Sequence, residues 1–212
     1  MTLVAFDFDG TLSDSEMTVL LGATRGVADE MASITEQSMN GEIDYAESLY
    51  KRIDLLEGLA HSEVDAALGT VKLRPGAGAL ITDLRNAGHD VAILTGGFER
   101  GVDVALERAE VEVDNVVANR LLVGNGSLTG EVEGPLIEGT KDDALVRIAQ
   151  ERGVDPAKAV AIGDGANDLP MLDVAGLGIG FRPKPAVESQ ADEVVDSMAA
   201  LRDVLTEHEL LS

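Results

Sequence analysis

Two acids one residue apart, Asp7 and Asp9, end the apolar run Leu3-Val4-Ala5-Phe6. Residues i and i+2 of an extended segment point to the same side, so the two carboxylates project together. Like charges that close repel unless a cation or a shared proton relieves them. A second acidic pair, Asp164 and Asp168 in GDGANDLPM, also follows an apolar run, AVAI. Thr95, Gly96 and Gly97 follow DVAIL, and Lys141 opens a helical pattern. Asp7 with Asp164 or Asp168 supplies hard oxygen ligands, which favour Mg²⁺. Of the first two acids, one can attack as a carboxylate nucleophile. The other can hold a proton for a leaving oxygen and later take one from water. The Thr95 hydroxyl and the N–H groups of Gly96 and Gly97 can bind phosphate oxygens. Lys141 adds a point positive charge. Such a set fits phosphoryl transfer, which is mostly positioning and charge neutralisation.

The elements that must position these residues are legible in outline. Apolar runs at 3–6, 90–95, 115–119 and 159–164 read as strands. Amphipathic segments at 76–88, 98–110 and 141–153 read as helices between them. That alternation predicts an α/β fold with a parallel sheet covered on both faces. All the polar groups then lie at strand C-terminal ends or a helix start, the edge where open parallel sheets bind ligands. A short helix is expected at 170–176 and a terminal one at 197–211. Residues 117–134 read as a β-hairpin turning at Gly124-Asn125-Gly126. Residues 14–73 hold no convincing strand and read as helices at 15–31, about 33–39, 44–57 and 61–69, with MNGEID as a turn. The expected organisation is therefore an α/β core, 1–13 and 74–212, with an all-helical cap, 14–73, inserted after the first strand.

The chain has 212 residues, 39 acids against 16 lysines and arginines, and no cysteine. Its net charge of −23 opposes binding to nucleic acid or to an anionic membrane. The acids are spread among periodic apolar segments, which argues against disorder. An acidic interaction surface and a solvated surface suited to high salt both fit, and screening favours the second. No run is long and apolar enough to span a membrane, and no signal peptide is evident. The expectation is a soluble cytoplasmic protein without disulfides.

DFDGT, a Thr before GG, a downstream Lys and GDGAND resemble, in order and spacing, the four motifs of the haloacid dehalogenase-like phosphatases. SLYKRIDLL, LTGGF and ANRLLV with LTGEVEG extend the resemblance to the branch that acts on phosphoserine. The resemblance implies a Rossmann-like core. It implies Asp7 as the aspartyl-phosphate nucleophile and Asp9 as the acid/base, with its backbone carbonyl on the metal. Asp164 matches an acidic metal ligand, and Asp168 the acid that supports the metal site. Thr95, Gly96, Lys141 and Asn167 match phosphate-binding positions. Glu16 matches the reader of the substrate ammonium and Arg52 the reader of its carboxylate. A zwitterionic head needs at least one acid and one base, and Arg suits a carboxylate. The implied reaction is Mg²⁺-dependent hydrolysis of phosphoserine in amino-acid biosynthesis. Two positions depart from the branch: Gly10 and Thr95 stand where Ser is usual.

Plainer readings stand beside these. Arg52 could pair with Glu47 or Asp54 on a solvated helix, and Glu16 could simply favour a helix N-terminus. Met39 and Tyr45 could line a cap pocket or only pack. His61, His89 and His208 fall outside the motifs. Other functional readings are a phosphatase or phosphotransferase for another small phosphomonoester, and a receiver-like phospho-Asp module.

Overall fold

The computed structural model describes residues 1–39 and 42–212, and the backbone alone of Met39. The elements run β1 (Leu3–Phe6), α1 (Met17–Arg25), α2 (Ala28–Met39), α3 (Tyr45–Asp54), α4 (His61–Leu68), α5 (Ala77–Asn86), β2 (Asp90–Phe98) and α6 (Glu99–Ala109). There follow β3 (Asn115–Gly124), β4 (Ser127–Glu133), α7 (Lys141–Arg152), β5 (Val160–Gly163), α8 (Leu169–Val174), β6 (Leu177–Phe181), α9 (Pro185–Glu188), β7 (Glu193–Val195) and α10 (Met198–Glu207). The strands form one sheet in the order β4-β3-β2-β1-β5-β6-β7, parallel except for β4. Strand β1 is central, and the chain winds outward first through β2 and later through β5. The crevice at such a reversal lies at the strand C-termini, where β1 delivers Asp7.

Alternation along the strands builds two cores. Val4, Phe6, Ile93 and Ile162 face one side, packed with Leu80 and Leu84 of α5 and Leu201 of α10. Leu3, Ala5, Leu94 and Ala161 face the other, under Leu145 and Ile148 of α7 and Met171 of α8. The expected α/β class is therefore the observed one.

Details differ for local reasons. The pattern at 15–31 is not one helix. Gly26 adopts φ 79, closes α1 with a left-handed cap, and α2 starts afresh. Asn40 and Gly41 of the expected MNGEID turn lie outside the described residues, as does the Met39 side chain. Helix α3 ends at Asp54, and its N-cap Asp44 accepts from the Glu47 N–H at 2.7 Å. Strand β2 runs on to Phe98, with a register break against β3 between Leu94 and Phe98. Thr95-Gly96-Gly97 thus forms an irregular stretch inside a strand that was expected to end at Thr95. The hairpin is present, with Asn125 and Gly126 both at positive φ. Its tip is tied to the helical segment: Gly58 N–H donates to Leu128 O, Leu128 N–H to Leu59 O and His61 N–H to Gly126 O, each at 2.9 Å. Strands β6 and β7 were not expected. LGIGF reads weakly because Gly178 and Gly180 interrupt it, yet a Cβ at Gly178 would press on Leu172 of α8.

Candidate active site

Asp7 is 4 % exposed and sits one residue past β1, its N–H donating to Ile162 O of β5 at 2.8 Å. Lys141, at the start of α7, is 3 % exposed. Its Nζ donates to Asp7 Oδ1 at 2.5 Å and to Asp168 Oδ1 at 2.6 Å. Asp168 in turn accepts at Oδ2 from the N–H groups of Asp164 and Gly165, both at 2.9 Å. One ammonium thus locks together residues 7, 141 and 168. Asp9 is held differently. Its Oδ2 accepts from the Met17 N–H at 3.3 Å at the start of α1, while its Oδ1 is buried without a hydrogen-bond partner among the described residues.

These surroundings set the protonation states. Burial, then the Asp168 charge, push Asp7 well above the carboxylate range, and Lys141 draws it back. Burial, followed by the nearby Glu16, pushes Asp9 up to about 8. Burial would lower Lys141, but Asp168 and Asp7 outweigh it and raise the ammonium further. Asp164 is raised by burial against the pull of Lys184. Oxygens of Asp7, Asp164 and Asp168 lie within 4.8 Å of one another. Asp7 and Asp168 share the buried Lys141 ammonium and Asp164 pairs with the half-exposed Lys184, so three carboxylates meet two ammonium groups and leave an excess of negative charge on hard oxygen donors. That donor set fits a divalent hard cation.

The remaining expected residues reach the same crevice. Thr95 is 1 % exposed, and its Oγ1 accepts from the Gly97 N–H at 3.0 Å. This corrects one expectation: the Gly97 N–H is taken by Thr95, and the hydroxyl keeps its own proton to donate. A Cβ at Gly96 would meet the Tyr45 hydroxyl, so glycine there lets the Tyr45 side chain approach the backbone. Asn167 lies on the exposed side, lining a cavity with Gly96 and Lys141. Gly10 takes φ +88, and a Cβ there would come within 2.8 Å of the Asp164 carboxylate. The departure from Ser at this position therefore leaves Asp164 room to approach.

Glu16 stands at the N-cap position of α1, where the helix dipole favours an acid, and its side chain makes no cap hydrogen bond. Desolvation raises its carboxyl, opposed by Lys184 and Arg52. Arg52 donates from Nε to Ser48 O at 3.2 Å and from one terminal nitrogen to Thr18 Oγ1 at 3.4 Å. Glu47 pairs instead with Lys51 at 2.7 Å, and among the described residues no carboxylate forms an ion pair with Arg52. Burial lowers the guanidinium, and Tyr45 and Glu16 favour its charge. Tyr45 presents its hydroxyl to the site, where burial raises it and Lys141 and Arg52 oppose the shift.

Three supporting residues had no sequence signal of their own. Arg74 clamps the loop after β1 by donating to Thr11 O at 3.0 Å and Gly10 O at 2.9 Å. Asn119 holds the bulge by donating to Gly96 O at 3.0 Å. Lys184 reaches Asp164 Oδ2 at 3.3 Å, and its N–H donates to Asp164 O at 2.8 Å. All three act on backbone or on an acid from a distant segment, so a clustering of cations against the motifs could have pointed to Arg74 and Lys184, while nothing local could have pointed to Asn119.

A family model for haloacid dehalogenase-like hydrolase matches residues 4–173. The phosphoserine phosphatase of Halobacterium salinarum is 55 % identical over 208 residues, covering 98 % of this chain and 99 % of that one. That of Archaeoglobus fulgidus is 37 % identical over 96 % of this chain, which spans only 59 % of its length. A solved phospho-aspartyl intermediate analogue of phosphoserine phosphatase superposes with a TM-score of 0.88 at 37 % identity, covering 97 % of this chain and 98 % of the other. With its fold, motifs and relatives in agreement, the chain belongs to the haloacid dehalogenase-like hydrolases, among the phosphoserine phosphatases.

Proposed function

We propose that this chain hydrolyses O-phospho-L-serine to L-serine and phosphate through a phospho-Asp7 intermediate, with Mg²⁺ as cofactor. The observation that carries the reading is the unlike treatment of two neighbouring acids. Asp7 is ion-paired to buried Lys141, whose charge opposes the upward push of burial, whereas Asp9 forms no ion pair among the described residues and is pushed up to about 8. Lys141, joined by a divalent cation when one is bound, favours the Asp7 carboxylate for attack, while Asp9 holds a proton near neutral pH.

Asp7 attacks phosphorus and the bond to the serine oxygen breaks. Asp9 donates its proton to that oxygen, and serine leaves. As a carboxylate, Asp9 then takes a proton from the water that attacks phosphorus and frees Asp7. The Thr95 hydroxyl, Gly96, Lys141 and Asn167 hold the phosphoryl oxygens throughout. Asp7, the Asp9 carbonyl, Asp164 and Asp168 would hold Mg²⁺, which supplies charge neutralisation at the phosphoryl group when bound. Glu16 reads the ammonium and Arg52 the carboxylate of serine. Residues 14–73 act as a cap over the core formed by 1–13 and 74–212, closing to exclude water and opening for exchange.

Serine as product fits the last step of serine biosynthesis in the cytoplasm. The net charge of −23 fits work at high salt, where screening quenches self-repulsion. Among the described residues no helix is long and apolar enough to cross a membrane. A receiver-like module is disfavoured because the proton on Asp9 promotes turnover of the phospho-acid. The test is phosphate release from a panel of phosphomonoesters with Mg²⁺ at high salt, wild type beside Asp7→Asn. Preference for phosphoserine, lost in the variant, is expected; equal turnover of unrelated esters would overturn the substrate.

A further inference from the structure

A hydroxyl can donate or accept, so its neighbours decide which it offers a ligand. Thr95 Oγ1 accepts from the Gly97 N–H at 3.0 Å, and its own proton has no acceptor among the described residues. The N–H belongs to the peptide between Gly96 and Gly97. With a glycine on each side, no Cβ opposes turning that peptide over. Turned over, it would present the Gly96 carbonyl to Thr95. The hydroxyl would then donate to that carbonyl and lose its proton for a phosphoryl oxygen.

One side chain selects between the two arrangements. Asn119 of β3 is 0 % exposed and donates from Nδ2 to Gly96 O at 3.0 Å. The other end of the same amide is fixed as well, since Oδ1 accepts from the Leu136 N–H at 3.3 Å. A reversed amide would set oxygen against oxygen at Gly96 and N–H against N–H at Leu136. Gly134 gives this end its room, because a Cβ there would collide with Asn119 Oδ1. The amide of Asn119, the 96–97 peptide and the Thr95 hydroxyl therefore form one chain of donors running head to tail, in which each bond polarises the next. We propose that Asn119 is a positioning residue for the reaction, which through the 96–97 peptide holds the Thr95 hydroxyl as a donor to the phosphoryl oxygen. The inference rests on the phosphate-holding role given to Thr95 above.

The probe is inorganic phosphate, titrated with Mg²⁺ at high salt and followed by ³¹P nuclear magnetic resonance, with folding checked by circular dichroism. Asn119→Leu and Thr95→Val should each weaken phosphate about tenfold. Both act through one hydroxyl, so the double variant should also lose about tenfold, where independent effects would multiply to about a hundredfold. Thr95→Ser keeps the hydroxyl, and beside it Asn119→Leu should again cost about tenfold. Asn119→Ala replaces Asn119→Leu if that variant does not fold, with its loss again absent beside Thr95→Val. Losses that multiply in the double variant, or wild-type affinity in the folded Asn119 variants, would overturn the proposal. Wild-type affinity in Thr95→Val would overturn it together with the phosphate role of Thr95. The substrate fails separately: a wild type that binds phosphate in this pattern yet releases no serine from phosphoserine retires the substrate and leaves Asn119 in its role.

Discussion

The floor of the site and its helical wall are built on opposite principles. On the floor, charges are held in place by partners within the protein: Lys141 bridges Asp7 and Asp168, and two backbone N–H groups fix the far oxygen of Asp168. On the wall, among the described residues, Arg52 makes a carbonyl and a hydroxyl contact and no ion pair, and Glu16 makes no side-chain cap. Fixed charges cost no reorganisation during the reaction, which suits chemistry. Charges left without an ionic partner are completed by a ligand, which suits selection. The floor is therefore expected to set the rate and the wall to set the substrate.

The largest break should come from the floor. Asp7→Asn is expected to lower kcat by about 10⁴-fold or more with the fold intact, checked by turnover and circular dichroism. Lys141→Met leaves two buried carboxylates uncompensated. It should cost about 3–5 kcal/mol in denaturant unfolding and roughly 10³-fold in kcat. Added Mg²⁺ should restore part of the stability and chelation should remove it. On the wall, Arg52→Ala is expected to raise KM for phosphoserine by about 10–100-fold with kcat less changed, and Glu16→Gln somewhat less.

Protonation sharpens the contrast between the two floor acids. Asp9 must carry its proton in the first half-reaction, so that step should slow as pH rises through about 8, seen in pre-steady-state serine release. The same shift acts on stability. Above about pH 4 an unfolded Asp9 is ionised, whereas the folded protein keeps its proton up to about 8. The folded state then binds more protons, and stability of the chelated protein should fall as pH rises across that window. Asp7 and Asp164 shift in the same direction, so Asp9→Asn should flatten the slope only in part. The smallest effect is expected of Thr95→Ser, which keeps the buried hydroxyl and should change kcat by less than about threefold in steady-state assays.

The same two regions differ in how far the sequence exposed them. The floor was legible because each group ends a strand or starts a helix, and its motif is contiguous. DFDGT and GDGAND carry their own turns, and the parallel alternation brings them to one edge. Arg74 and Asn119 were not legible, because they act on carbonyls of Gly10, Thr11 and Gly96 from other segments. Lys184 follows β6, a strand whose glycines hid it. The wall was legible only through resemblance, since helical periodicity places Arg52 on α3 but not against Glu16 of another helix. The break at Gly26 was missed because apolar spacing continues across it.

The most direct measurement compares kcat/KM for phosphoserine and for phenyl phosphate in wild type and in Arg52→Ala. Phenyl phosphate needs the floor but offers the wall no carboxylate. If the floor sets the rate and the wall the substrate, phosphoserine should fall by about 10–100-fold while phenyl phosphate stays within about threefold. Equal losses for both esters would contradict the division and place Arg52 with the catalytic floor.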